Sequence, residues 1–320
     1  MRGLLKIIQT LQNGIHSLLP GFPDNENRNR KDGDSMEKTI YLGQEATVLE
    51  NDALRVIVMP QRGGKIASVV HKASGFEALH QPAAYPALVP GMPFDQGDAS
   101  GFDDVFPSMG EAEMPDHGEI WTSAMQPETE GGALRLHCDG QGRPYTYTKW
   151  VELQDAAVIC RYEIVNASQQ ELPCVWVCHC LMRLEDGMRF VFPSECSVAE
   201  NVMSGSVLGT AGTMHPVDGL KMPPPDGTAA KFYMADAVKT GVCSAVYPQS
   251  GRTVTMRYDA QALPYLGFWI TNGGYRGERN FAFEPATGYY DTVDCARARG
   301  RLKTLAPGEK LSFSLMLEIE

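Results

Sequence analysis

The chain has 320 residues, 43% hydrophobic and 21% charged, enough for one large β domain or two smaller globular domains. Lys and Arg number 28 and Asp and Glu 39, a net charge of −11, which argues against nucleic acid or an anionic membrane surface as a partner. The 8 cysteines include no Cys-x-x-Cys pair and the start is a poor secretory signal, so reduced thiols in a cytoplasmic protein are expected.

Leu4, Ile8, Leu11, Ile15 and Leu18 recur at helical spacing, so residues 3–19 predict a short amphipathic helix. Gln9, Gln12, Asn13 and His16 make it too polar to span a membrane. Residues 21–35 have linker composition, and residues 1–35 are read as an N-terminal tail. From Met36 the pattern is one of strands. An apolar run at 54–59 stops at Pro60, and Gly63-Gly64 turns the chain into a strand at 65–71. Residues 81–115 are rich in Pro, Gly and Asp, a long loop of the kind that carries function, and they lead into His117.

Alternation then returns. Tyr145, Tyr147 and Lys149 share one face, as do Val158, Cys160, Tyr162 and Ile164. Residues 173–182 form another strand, and 195–230 a second loop-rich insert. Further strands fall at 232–234, 242–247, 253–258, 265–271 and 281–284. In the last, Leu311, Phe313, Leu315, Leu317 and Ile319 face one way. Many strands, 32 Gly, 21 Pro and few short helices predict an all-β protein, a single two-sheet sandwich over residues 36–320.

Chemistry concentrates at a few positions. Glu284 closes the apolar run Asn280-Phe281-Ala282-Phe283 and is followed by Pro285. A strand sheds charge unless something uses it, so this carboxylate is expected at a strand end beside a cleft. His179 lies in Trp176-Val177-Cys178-His179-Cys180; it fits either a packed core histidine or a proton carrier. Alternation puts the flanking thiols on the opposite face, so no shared metal is expected. His117 precedes Gly118, which lets backbone approach a ligand closely. Asp103 and Asp104, in a turn-like segment, are acceptors suited to sugar hydroxyls, and Trp269 is an aromatic surface on which a sugar ring can stack. No Gly-x-Ser-x-Gly elbow and no phosphate-cradling Gly-rich loop occur.

In their order these segments resemble the aldose 1-epimerase family of the galactose mutarotase-like superfamily. The resemblance runs over residues 40–320. It is carried by Pro60-Gln61-Arg62-Gly63-Gly64-Lys65-Ile66, by His117-Gly118, and by Asn166 followed by Trp176 to His179. Phe281 to Pro285, Thr287-Gly288 and Leu305-Ala306-Pro307-Gly308-Glu309 complete it. It implies a large antiparallel β-supersandwich with an open sugar groove, and interconversion of the α and β anomers of an aldose. Glu284 would be the general base, His179 the general acid on the ring oxygen, and His117 a hydrogen-bonding helper. The resemblance implies no metal and no organic cofactor; Asp104, Arg62 and Trp269 are the substrate-binding candidates read from the residues themselves, against an acidic turn, a surface strand-end Arg and core packing as the respective alternatives. Glu284 is expected ionised and one imidazole protonated, each supporting the other.

The chain departs from the family where Glu119 and Ile120 follow His117-Gly118, in place of Phe and then Arg. Residues 101–107 hold two acids where hexose-6-phosphate mutarotases carry an Arg-bearing loop. A small, free, neutral sugar is therefore the expected partner, bound by a monomer or homodimer. A hexose-6-phosphate mutarotase and a non-catalytic carbohydrate-binding sandwich are the alternatives. What separates catalysis from binding is whether Glu284 and His179 face one cleft.

Overall fold

The computed structural model describes residues 35–110 and 115–320. The predicted N-terminal helix and most of the predicted linker lie outside the described residues. Nearly all regular structure is antiparallel β, in a 13-stranded sheet, an 8-stranded sheet and a two-stranded ribbon. The α-helix among the described residues, Val293–Ala298, has Thr292 as its N-cap, accepting from the Cys295 N–H. The fold is thus the all-β sandwich that the patterning predicts.

The middle of the large sheet sets side by side strands that are far apart in sequence. In order they are Lys65–His71, Phe102–Val105, Val177–Cys180, Arg279–Ala286, Tyr265–Asn272 and Thr228–Met234. The short acidic strand Phe102–Val105 lies inside the segment read as a loop. It has too few residues, and too much charge, to show strand periodicity on its own.

Alternation divides each of these strands between two environments. Phe102, Cys178, Cys180, Phe281, Phe283, Phe268 and Phe232 enter the core between the sheets, where Tyr147, Tyr162, Leu315 and Leu317 of the smaller sheet meet them. The intervening residues face the opposite side. There, chain segments that leave the sheets cover the strands and build separate apolar clusters, such as Phe94, Ala99, Trp121, Leu181 and Ala282. Val105, Met109, Val177, Ala286, Val293 and Ala296 form a second. Glu284 lies between Ala282 and Ala286, and His179 between Leu181 and Val177, so these two candidates fall between the two clusters.

Candidate functional site

Cross-strand register explains how the site assembles. Val177 pairs with Ala286, and further along Met182 pairs with Phe281 and Arg183 with Asn280. The register is the same on both sides of the interval where the ladder opens, so His179 falls opposite Glu284, with both side chains on the non-core face. On its other edge His179 pairs directly with Asp103. Beyond Glu284 the row continues through Gly267 to Tyr233. One line across the sheet therefore reads Asp103, His179, Glu284, Gly267, Tyr233.

His117 reaches this row from a loop. It and Gly118 both have positive φ, +64° and +72°. A Cβ on Gly118 would lie 2.2 Å from the Phe106 carbonyl oxygen, so the residue after the histidine must be glycine. The His117 N–H donates to the Met109 carbonyl at 2.7 Å, and the Glu119 N–H to that of Phe106 at 3.0 Å. Glu119 in turn accepts from the backbone of Gln141 and Gly142 and from the Tyr145 hydroxyl. The acid that departs from the family pattern thus anchors the histidine loop to the smaller sheet. The His117 ring stacks on Phe94 at 3.6 Å between centroids and stands edge-on to His179 at 5.0 Å.

Electrostatics differ among the three groups. Glu284 is 1% exposed, and burial pushes its carboxyl up to about 7 against the pull of Lys231. Its Oε2 lies 3.4 Å from Lys231 Nζ and makes no hydrogen bond. Lys231 is also 3.0 Å from Asp291, whose Oδ1 accepts from the Tyr233 hydroxyl at 3.0 Å. Burial opposes the Lys231 charge, but Asp291 and Glu284 hold its pKa above the usual range. His179, 5% exposed, is held well below the usual histidine range by burial, and the charges of His117, Lys231 and Lys65 act in the same direction. His117 is also lowered by burial, but Asp116 opposes this from 3.0 Å. Of the two imidazoles, His179 is the one held further from the charged form, and His117 is the one with a carboxylate beside it to support a proton.

The other candidates fall in three places. Trp269 is on the site face, its Nε1 donating to Asn280 at 3.0 Å and its ring packed with the Phe94 cluster. Arg62 is buried near the row rather than in it, bonded to Asp98 at 3.2 Å and to the Pro86 carbonyl, with its guanidinium over Tyr85. Asp104 does not lie on the face that carries Glu284 and His179. It pairs with Lys149 at 2.9 Å and accepts from the Tyr162 hydroxyl at 3.0 Å, inside the core between the sheets. The strand places Asp103, not Asp104, on the side of His179, because adjacent residues point to opposite faces. Sequence reading passed over Lys231, Asp291 and Phe94. Lys231, in Ala229-Ala230-Lys231-Phe232-Tyr233, carries the same signal as Glu284, a charge inside an apolar strand. Asp291 sits in an irregular segment and Phe94 at the start of a three-residue 3-10 helix, Phe94–Gln96, with no such signal.

Two family models match the chain: a domain of unknown function, DUF4432, over residues 146–319, and another, DUF5107, over residues 34–215. No curated protein matches significantly. Among solved structures the chain is similar to a galactose mutarotase-like protein from Clostridium acetobutylicum, with TM-score 0.68, 16% identity, and coverage of 91% of this chain and 99% of that one. It is similar to the Slr1438 protein from Synechocystis sp. PCC 6803, with TM-score 0.68, 13% identity and coverage of 92% and 99%. A galactose mutarotase-like protein from Lactobacillus casei gives TM-score 0.65, 17% identity and coverage of 86% and 100%. The fold is that of the galactose mutarotase-like proteins.

Proposed function

We propose that this chain, which belongs to the domain-of-unknown-function families DUF4432 and DUF5107, interconverts the α and β anomers of a free, neutral aldose by acid–base ring opening. The observation that carries this reading is the placement of Glu284 opposite His179 in one row, with the His117 ring 5.0 Å from that of His179. Glu284 takes the proton of the anomeric hydroxyl as the C1–ring-oxygen bond breaks. The imidazolium of His117, supported by Asp116, gives its proton to the ring oxygen, and neutral His179 steadies that oxygen by a hydrogen bond. Rotation about C1–C2 presents the other carbonyl face. On reclosure the C1–ring-oxygen bond re-forms, the ring-oxygen hydroxyl returns its proton to His117, and Glu284 gives its proton back to the anomeric oxygen. This exchanges the histidine roles that the resemblance implies, because Asp116 stands beside His117 and cations surround His179.

The reaction proceeds unaided in water, so modest catalysis suffices; a positioned acid and base supply roughly 10²–10⁴-fold each. A neutral substrate is favoured over a phosphorylated one because the cations near the row are matched. Arg62 and Lys65 face Asp98, Lys65 also faces Asp103, and Lys231 faces Glu284 and Asp291. Magnetisation-exchange NMR on a panel of free and phosphorylated aldoses tests the proposal. We expect faster anomer exchange for at least one free sugar, lost in Glu284→Gln. A panel with no acceleration would remove the enzymatic reading, and sugar binding without turnover would leave a carbohydrate-binding sandwich.

A further inference from the structure

Asp103 extends the row on the side of His179 away from Glu284. It pairs with His179 across the ladder, and the Ile66–Phe102 pair places Lys65 opposite it on the next strand. The residue is 2% exposed. Its Oδ2 lies 2.8 Å from Lys65 Nζ, and its Oδ1 has no hydrogen-bond partner. Lys65 has other partners besides Asp103, since Asp98 Oδ2 and the Ser100 carbonyl each take a Lys65 hydrogen bond at 2.6 Å. His179 Nδ1 and Glu284 Oε2 also lack partners. Three unmet polar atoms thus stand on adjacent strands, which lie about 5 Å apart where they are paired. Buried polar groups are ordinarily satisfied, so such a row calls for a ligand with several hydroxyls spaced along it.

We propose that Asp103 is a substrate-contacting residue whose Oδ1 accepts a hydrogen bond from a ring hydroxyl remote from the anomeric centre, and that it selects the configuration at that carbon. The inference rests on the anomerase reading and deepens it: Glu284 and the histidines do the chemistry, and Asp103 chooses the sugar. Asp104, the neighbour in sequence, is unable to do this because it faces the core.

The test compares wild type, Asp103→Ala and Asp103→Asn on the sugar best accelerated, on its monodeoxy analogues and on its epimers. We expect Asp103→Ala to lower kcat/KM about 3–100-fold, mostly through KM, the range of one hydrogen bond to a partly ionised carboxyl. The loss should vanish for one monodeoxy analogue, and Asp103→Asn should recover part of it. An equal loss on every analogue, or no loss, overturns the proposal while leaving the anomerase reading intact. If wild type accelerates no sugar, saturation-transfer NMR on the same panel reads binding: an analogue preference unchanged in Asp103→Ala overturns the proposal. A wild type that binds none of them ends both readings together.

Discussion

Glu284 and Lys231 are opposite charges on apolar strands, each tolerable because the other is close. Burial raises the Glu284 carboxyl to about 7, whereas His117 is lowered from its ordinary value. The reactive form needs Glu284 ionised and His117 protonated, so the group with the higher pKa must be the one without its proton. Only a fraction of molecules meets that condition, and its maximum lies on the acid side of pH 7. Glu284 is half-ionised near pH 7 and almost fully ionised about one unit higher, after which further alkalinity only discharges His117 and kcat/KM should fall tenfold per pH unit. Lys231→Met removes the cation that lowers the carboxyl. The descending break should then move to higher pH, and the plateau should drop by less than about tenfold for each unit moved, because Lys231 also lowers His117 and its loss raises both groups. A pH profile of anomer exchange reads both, and a break that stays in place would show that Lys231 does not tune the base.

Strand pairing turns isolated residues into a site. Gly267 lies between Tyr233 and Glu284, and a Cβ there would stand 3.0 Å from both Glu284 Oε2 and Tyr233 Cζ. The absent side chain lets the carboxylate lean across its neighbouring strand. Gly267→Val should displace Glu284 and cost about 100-fold in kcat, the penalty of roughly 1 Å of misplacement. Overpacking should lower stability by only about 1–3 kcal/mol. Exchange rates and thermal melts on the same preparation separate the two effects; a fully active variant would contradict this role for the glycine.

The two sheets are tied together directly beneath the site. Asp104 of the large sheet meets Lys149 and Tyr162 of the smaller one, and the Trp176 Nε1 donates to the Tyr147 hydroxyl at 2.8 Å. Asp103 and Asp104 thus face opposite sides of one short strand, Asp103 on the side of His179 and Asp104 toward the core. Leaving one partner of a buried ion pair alone is costly, so Lys149→Met should lose about 3–5 kcal/mol in denaturant unfolding. Replacing both partners, as Lys149→Met with Asp104→Leu, should cost less than the single change. A double variant that is the less stable of the two would mean that the pair contributes net stability to the sandwich.

Strand periodicity made the all-β class and the last strand legible, and a lone carboxylate in Phe281-Ala282-Phe283-Glu284 marked the site, because burying charge is costly whatever the fold. The same rule applied to Lys231 would have found Glu284's partner. It could not choose between Asp103 and Asp104: alternation says only that they face opposite ways, and which face carries His179 and Glu284 depends on strands far away in sequence. Nor could it supply Asp291, Asp116 as a partner of His117, or the neutral state of His179. Those follow from distances and desolvation, which exist only once the chain has closed around them.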